Sequence, residues 1–178
     1  MSPGADRHLV LVGLMGTGKT TVGAACATRL GRPFVDSDEL VEATSGQTVA
    51  DIFATSGEAT FRDLERRAIA DACDSPDPLA IACGGGAVLD ADNRRRLRAS
   101  GSVVWLRTSP AVLAARVRDA VRSRPLLEAK DPRQELERLA ELRAEAYEAA
   151  AHVTVDTDGL DVDQVVDAVL REVAGCGV

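Results

Sequence analysis

Residues Gly13-Leu14-Met15-Gly16-Thr17-Gly18-Lys19-Thr20 fit the pattern G-x-x-x-x-G-K-[ST], with an apolar run before them and a helical stretch after. That spacing is chemistry for phosphate. The glycines let the backbone wrap so that successive N–H groups converge on phosphate oxygens, and the positive end of the following helix adds to the attraction. Lys19 is placed to reach the β- and γ-phosphates, and the Thr20 hydroxyl to ligate Mg²⁺. A chance glycine-rich turn is the bland alternative, and a full eight-residue match between a strand and a helix argues against it.

A metal beside a nucleotide needs a further carboxylate at the end of a neighbouring strand. Two apolar runs end in Asp: Phe34-Val35-Asp36 and Val153-Thr154-Val155-Asp156. Asp36 falls where the second strand should lie beside the phosphate loop, and Asp38 follows it. Two acids thus cluster at a strand's carboxyl end, the edge where ligands sit in open parallel sheets. The competing explanation is that Asp38-Glu39 simply open a helix, whose dipole favours acids there.

Other charged residues contradict the helical faces they occupy. Arg143 shares a stripe with Leu136, Leu139, Ala140 and Tyr147, while Glu137, Glu141, Glu145 and Glu148 take the opposite face. Glu65 sits among Phe61, Ala68, Ile69 and Ala72, with Arg62 one turn earlier. A buried guanidinium needs an anion. Either Arg62 and Arg143 face a cavity that takes a carboxylate ligand, with Glu65 steadying Arg62, or both are held in internal salt bridges. Arg94, Arg95, Arg96 and Arg98 read as solvated surface. Arg118, Arg122 and Arg124 surround a segment ending Arg124-Pro125-Leu126-Leu127 that has no strand of its own. A lid over about 117–130 fits that composition, excluding water and carrying positive charge to a transferring phosphoryl group.

These residues must be positioned by alternating strands and helices. Strands are expected at His8–Val12, Pro33–Asp36, Leu79–Cys83, Ser102–Leu106 and Val153–Asp156. Helices are expected at Thr20–Leu30, after a capping box at Thr48–Asp51, and at Gly57–Cys73, Asp90–Ala99, Pro110–Arg118, Asp131–Ala151 and Asp161–Ala174. That alternation implies an α/β fold whose parallel strands are covered on both faces.

The 178 residues, 46% hydrophobic, suit one domain over 1–178 with a flexible tail at 1–7. The 21 Lys and Arg against 28 Asp and Glu give a net charge of −7, which argues against a nucleic-acid partner. No apolar run approaches the ~20 residues of a membrane span, and Met1–Arg7 lacks the features of a signal peptide, so no membrane partner and a cytoplasmic location are expected. The spacing of Cys26, Cys73, Cys83 and Cys176 matches no zinc or redox motif, and His8 and His152 read as strand-end residues.

Taken in order, the phosphate loop, Asp36-Ser37-Asp38, Phe61-Arg62 with Glu65, Gly84-Gly85-Gly86-Ala87, Arg124-Pro125-Leu126-Leu127, Arg143 with Tyr147, and Val155-Asp156-Thr157 resemble shikimate kinase, a small P-loop kinase family related to nucleoside monophosphate kinases. The resemblance implies a three-layer fold with five parallel strands in the order 2-3-1-4-5 and a mobile lid. It implies phosphorylation of the 3-hydroxyl of shikimate by ATP, with Mg²⁺, on the route to chorismate and the aromatic amino acids. By the same resemblance Asp38 binds substrate hydroxyls, and Arg62, Gly84, Gly85, Gly86 and Arg143 hold the substrate, the arginines through its carboxylate. Gly16, Thr17, Gly18, Lys19, Thr20, Thr21, Arg116 and Arg124 would contact nucleotide, and Thr20 and Asp36 the metal. Lys19, Asp38 and Arg124 would carry catalysis. Thr20 stands where many members have Ser, Glu145-Ala146 where Pro is frequent, and Asp158-Gly159 where some have a basic residue. A monomer is expected.

Three rivals stand beside it. A GTPase switch would need N-K-x-D, but the only Asn, Asn93, precedes Arg94-Arg95-Arg96. Another small-molecule kinase, of gluconate or nucleoside monophosphate type, would share the phosphate loop and lid without needing Arg62 and Arg143 opposite paired acids. A nucleotide-binding protein without catalysis would not need Lys19, Thr20, Asp36 and Arg124 together.

Overall fold

The computed structural model describes residues 7–118 and 131–175. Residues 1–6 of the expected tail, Cys176, and 119–130, which include Arg122, Arg124, Lys130 and most of the expected lid, lie outside the described residues. Five strands, β1 (His8–Val12), β2 (Phe34–Asp36), β3 (Ala80–Ala82), β4 (Gly101–Arg107) and β5 (Val153–Asp156), pair in parallel in the order β2-β3-β1-β4-β5. The helices are α1 (Lys19–Leu30), α2 (Ser37–Ser45), α3 (Val49–Cys73), α4 (Ala91–Ser100), α5 (Pro110–Arg118), α6 (Pro132–Ala150) and α7 (Val162–Gly175).

Successive side chains of a strand point to opposite faces. Val10, Val12, Ile81, Val103 and Trp105 accordingly join one core with Ile69 of α3, Leu97 of α4, Leu113 of α5 and Leu136, Leu139 and Tyr147 of α6. Leu9, Leu11, Ala80, Val104, Leu106 and Val155 join the other with Val22 and Cys26 of α1 and Val165, Val166 and Val169 of α7. Both faces are dry, which is why the strands read as unbroken apolar runs rather than alternating ones. Burying each of these larger side chains is worth roughly 1.5–3 kcal/mol.

Two local outcomes needed the structure. The acids after β2 do open a helix: the Asp36 carboxylate accepts the Asp38 N–H at 3.0 Å and caps α2, with Asp38 and Glu39 in its first turn. Gly57, at φ 82° and ψ 171°, breaks α3 into the two helices expected from sequence, a conformation that L side chains avoid. The first of the two is capped by Thr48 Oγ1, which accepts the Asp51 N–H at 3.1 Å.

One expectation is corrected. Arg95 and Arg96 are exposed, but Arg94 and Arg98 are half-buried. Arg94 donates to the carbonyls of Val88 and Leu89, and Arg98 to those of Ala150 and Ala151. Both satisfy backbone oxygens that would otherwise lack donors. At the amino-terminal edge of the sheet, His8 Nδ1 accepts the Leu79 N–H at 3.0 Å and His152 Nδ1 accepts the Val103 N–H at 3.1 Å. The histidines extend strand pairing. Cys26, Cys73 and Cys83 are free thiols, and among the described residues no helix is long and apolar enough to cross a membrane.

Candidate active site

The chemistry collects at the carboxyl edge of the sheet. β1 runs into the phosphate loop, β2 ends at Asp36, β3 leads to Gly84, and β4 and β5 end at Arg107 and Asp156. This is the crevice where the connections from β1 and its neighbours diverge, and loops there are free to bind ligand.

Gly18 is the N-cap of α1 with φ 95°, so the helix begins directly at Lys19 and its positive end lies at the loop. Lys19 Nζ donates to the Leu14 carbonyl at 2.9 Å. Thr17 is buried, and its hydroxyl donates to the same carbonyl at 3.0 Å, fixing the loop's own shape. Thr20 and Thr21 are exposed. The Thr20 hydroxyl donates to Asp36 Oδ2 at 2.8 Å, so the two expected metal ligands are adjacent. A hydroxyl and a carboxylate are hard oxygen donors, a set that fits Mg²⁺ sharing its remaining positions with phosphates and water. Among the described residues, no group of three or more His, Cys, Asp or Glu gathers as an all-protein metal cage.

The glycine loop after β3 is the meeting point of the remaining candidates. A Cβ built on Gly84 would lie 2.7 Å from both Asp38 Oδ1 and Glu65 Oε1. One on Gly86 would lie 2.6 Å from Arg62 Nη1, and one on Gly85 3.5 Å from both Arg143 Nη1 and the Met15 nitrogen of the phosphate loop. Any side chain at Gly84 or Gly86 would therefore occupy the space these charged groups use. The Gly84 N–H donates to Ser37 Oγ at 2.8 Å, which ties this loop to the start of α2.

Arg62 pairs with Glu65 Oε2 at 2.6 Å and with Glu58 at 3.2 Å. The internal salt bridge weighed from sequence is real for Arg62. Arg143 is different: it is 7% exposed, donates to the Gly85 carbonyl at 3.0 Å, and its Nε has no hydrogen-bonding partner. Asp38 Oδ1 and Glu65 Oε1 are buried and equally unpartnered. Burial pushes the Asp38 carboxyl above the ordinary carboxylate range, and the Asp36 charge acts in the same direction, against Lys19 and Arg62. Burial raises Glu65 as well, opposed by Arg62. Unpartnered buried donors and acceptors destabilise a fold by about 1–3 kcal/mol each, so their concentration here marks a place built for a polar ligand.

Beside the phosphate loop lies a cavity of about 470 Å³, lined by Leu14, Thr17, Trp105, Arg107, Ser109, Tyr147 and Asp158 among others. Trp105 stacks on Tyr147, with ring centroids 5.4 Å apart, and Arg107 lies over the indole. Arg107 also pairs with Asp156, closing β4 to β5 at the rim. Arg116 is exposed on α5. Sequence reasoning named Ser37 and Tyr147 within its motifs but gave neither a role, and it gave none to Asn93. Asn93 is buried and donates to the Ala87 carbonyl at 3.0 Å, bracing the glycine loop from behind. Its one visible signal was an isolated Asn in an otherwise Arg-rich helix.

Known proteins are similar to this chain over most of its length. A family model described as shikimate kinase matches residues 15–174. A shikimate kinase of Symbiobacterium thermophilum is 49% identical over 166 residues, covering 93% of this chain and 95% of the relative. One from Burkholderia pseudomallei is 43% identical over 171 residues, covering 96% and 92%. The solved structure of a shikimate kinase from Acinetobacter baumannii in complex with shikimate superposes with a TM-score of 0.88 at 36% identity, covering 95% of this chain and 93% of that one. With a family model over residues 15–174 and relatives of this identity and coverage, the chain belongs to the shikimate kinase family.

Proposed function

We propose that the chain transfers the γ-phosphoryl group of ATP to the 3-hydroxyl of shikimate, giving shikimate 3-phosphate and ADP. The observation that carries this reading is the convergence on Gly84–Gly86 of Asp38, the Arg62–Glu65 pair and Arg143, a few ångströms from the phosphate loop. An acceptor with hydroxyls at one end and a carboxylate at the other matches that array: acid oxygens for the hydroxyls, guanidinium groups for the anion. The Acinetobacter baumannii relative was solved with shikimate, a molecule of that chemistry.

In this reading the loop Gly16–Thr20 and Thr21 bind the phosphates, the adjoining cavity takes the nucleoside, and Arg116 of α5 contacts the nucleotide. Thr20 and Asp36 would hold Mg²⁺, which would supply neutralisation of charge on the phosphates. Asp38 accepts a hydrogen bond from the attacking hydroxyl and orients it. Its raised affinity for a proton also suits it to take the proton as the phosphorus–oxygen bond forms. Lys19 stabilises charge on the transferred group. Arg124, outside the described residues, adds a second cation from the lid segment. The reading extends to a monomer working in the cytoplasm.

The test is ADP release from MgATP with shikimate, against gluconate, AMP and no acceptor. Shikimate-dependent turnover with none for the others is expected. Acceptor-independent hydrolysis, or preference for gluconate or AMP, overturns the reading.

A further inference from the structure

Two side chains of α6 share the Gly85 carbonyl as acceptor, and one of them, Tyr147, has no part in the reading above. A carbonyl oxygen has two lone pairs. Arg143 Nη1 donates to the Gly85 oxygen at 3.0 Å, and Tyr147 Oη donates to it at 2.6 Å. The two donors are four residues apart on α6, so they lie on one face of the helix. Tyr147 is 1% exposed and its ring is held against Trp105, so the hydroxyl has one place to be.

Arg143 needs that constraint. Its side chain has several rotatable bonds, and its buried Nε has no partner within the protein. That donor recognises an anion only if the guanidinium plane is already oriented. The Gly85 carbonyl is the anchor that orients it, and that carbonyl belongs to a glycine loop with no side chain of its own to hold it. Tyr147 donates to the same oxygen and so holds the anchor beside Arg143. Burial, opposed by Arg143, pushes its phenol up to about 12, so the group remains a donor at any working pH.

We infer that Tyr147 is a positioning residue for the acceptor's carboxylate: its hydroxyl, set by the Trp105 stack, aligns Arg143 through their shared acceptor, the Gly85 carbonyl. This rests on the proposed shikimate reading. The alternative, that Tyr147 only fills the core, predicts different behaviour of Tyr147→Phe, which keeps the ring and removes one oxygen.

The experiment measures calorimetric dissociation constants for shikimate and for ATP in the full chain, in Tyr147→Phe, in Arg143→Ala and in the double variant, together with each melting temperature. Arg143→Lys replaces Arg143→Ala where binding falls below detection. Tyr147→Phe is expected to weaken shikimate binding about 5–10-fold, a single neutral hydrogen bond in size, while ATP binding changes less than about twofold. In the Arg143 variant the same change is expected to add less than about twofold, because the group it aligns is gone. Unchanged shikimate binding in Tyr147→Phe, or full additivity with Arg143, overturns the inference. So does parallel weakening of both ligands with a fallen melting temperature, the signature of a core residue. Absence of shikimate binding by the unaltered chain would instead remove the functional reading itself.

Discussion

The Thr20 hydroxyl and the Asp36 carboxylate, sixteen residues apart, meet at 2.8 Å where α1 begins and β2 ends. Neither residue is buried, so their contact reflects placement by the sheet rather than packing. If the two hold Mg²⁺ as proposed, Thr20→Ala and Asp36→Asn are each expected to raise the Mg²⁺ concentration for half-maximal rate at least about tenfold at saturating ATP, the first by loss of the hydroxyl and the second by loss of the carboxylate charge. Asn caps helices about as well as Asp, so Asp36→Asn should leave α2 intact. Thr20→Ser should behave as the unaltered chain. Rates against free Mg²⁺ decide it.

Asp38 is expected to show function held against stability. Its Oδ1 is buried without a partner, and burial with the Asp36 charge raises its proton affinity. A carboxyl whose folded pKa exceeds its unfolded one favours the native state below the unfolded pKa and disfavours it as pH rises through the folded pKa. Asp38→Asn should therefore unfold at higher denaturant at pH 7, by roughly 1 kcal/mol, and this gain should shrink toward acid pH. Its kcat should fall at least about 100-fold. Chemical denaturation at two pH values, with steady-state rates, checks both halves.

Gly86 has an ordinary backbone, with φ −100°, so Gly86→Ala is a steric test alone. The new methyl would meet the Arg62 guanidinium. Shikimate KM should rise about tenfold or more with ATP KM little changed. Gly175→Ala, where no atom lies within 4 Å of the new carbon, is the matched control and should leave both constants alone.

The pH dependence of stability should also carry a histidine component. Burial, with Arg98 and Arg7 nearby, lowers the His152 pKa, and its Nδ1 must stay unprotonated to accept the Val103 N–H. The unfolded chain then binds a proton at higher pH than the native one. Native stability should fall as pH drops through the ordinary histidine range toward the lowered value, and His152→Gln should remove that component. Urea midpoints between pH 8 and 5 measure it.

For Arg124, Arg124→Ala should lose about 10³-fold in kcat or more, while nucleotide binding weakens much less, as for a cation acting on the transition state. Near-normal kcat in that variant would remove Arg124 from the mechanism.

Much of this protein was legible from residue order. Local rules suffice for the phosphate loop, since one stretch of backbone makes the whole site, and for the apolar strands, since period and burial are properties of short segments. The anomalies of Arg143 and Glu65 were visible too, because a charge on an apolar stripe demands a partner. What sequence left open was the identity of that partner. Glu65 satisfies Arg62 by an i, i+3 contact within one helix, whereas Arg143 reaches Gly85, 58 residues away, across two connections of the sheet. Arg94 and Arg98 likewise read as surface because their acceptors are backbone carbonyls, which carry no sequence signature. Sequence by itself determined which groups are chemically capable. Only the tertiary structure decided which of them share an acceptor or a wall, because such distances are set by the packing of distant segments rather than by spacing along the chain.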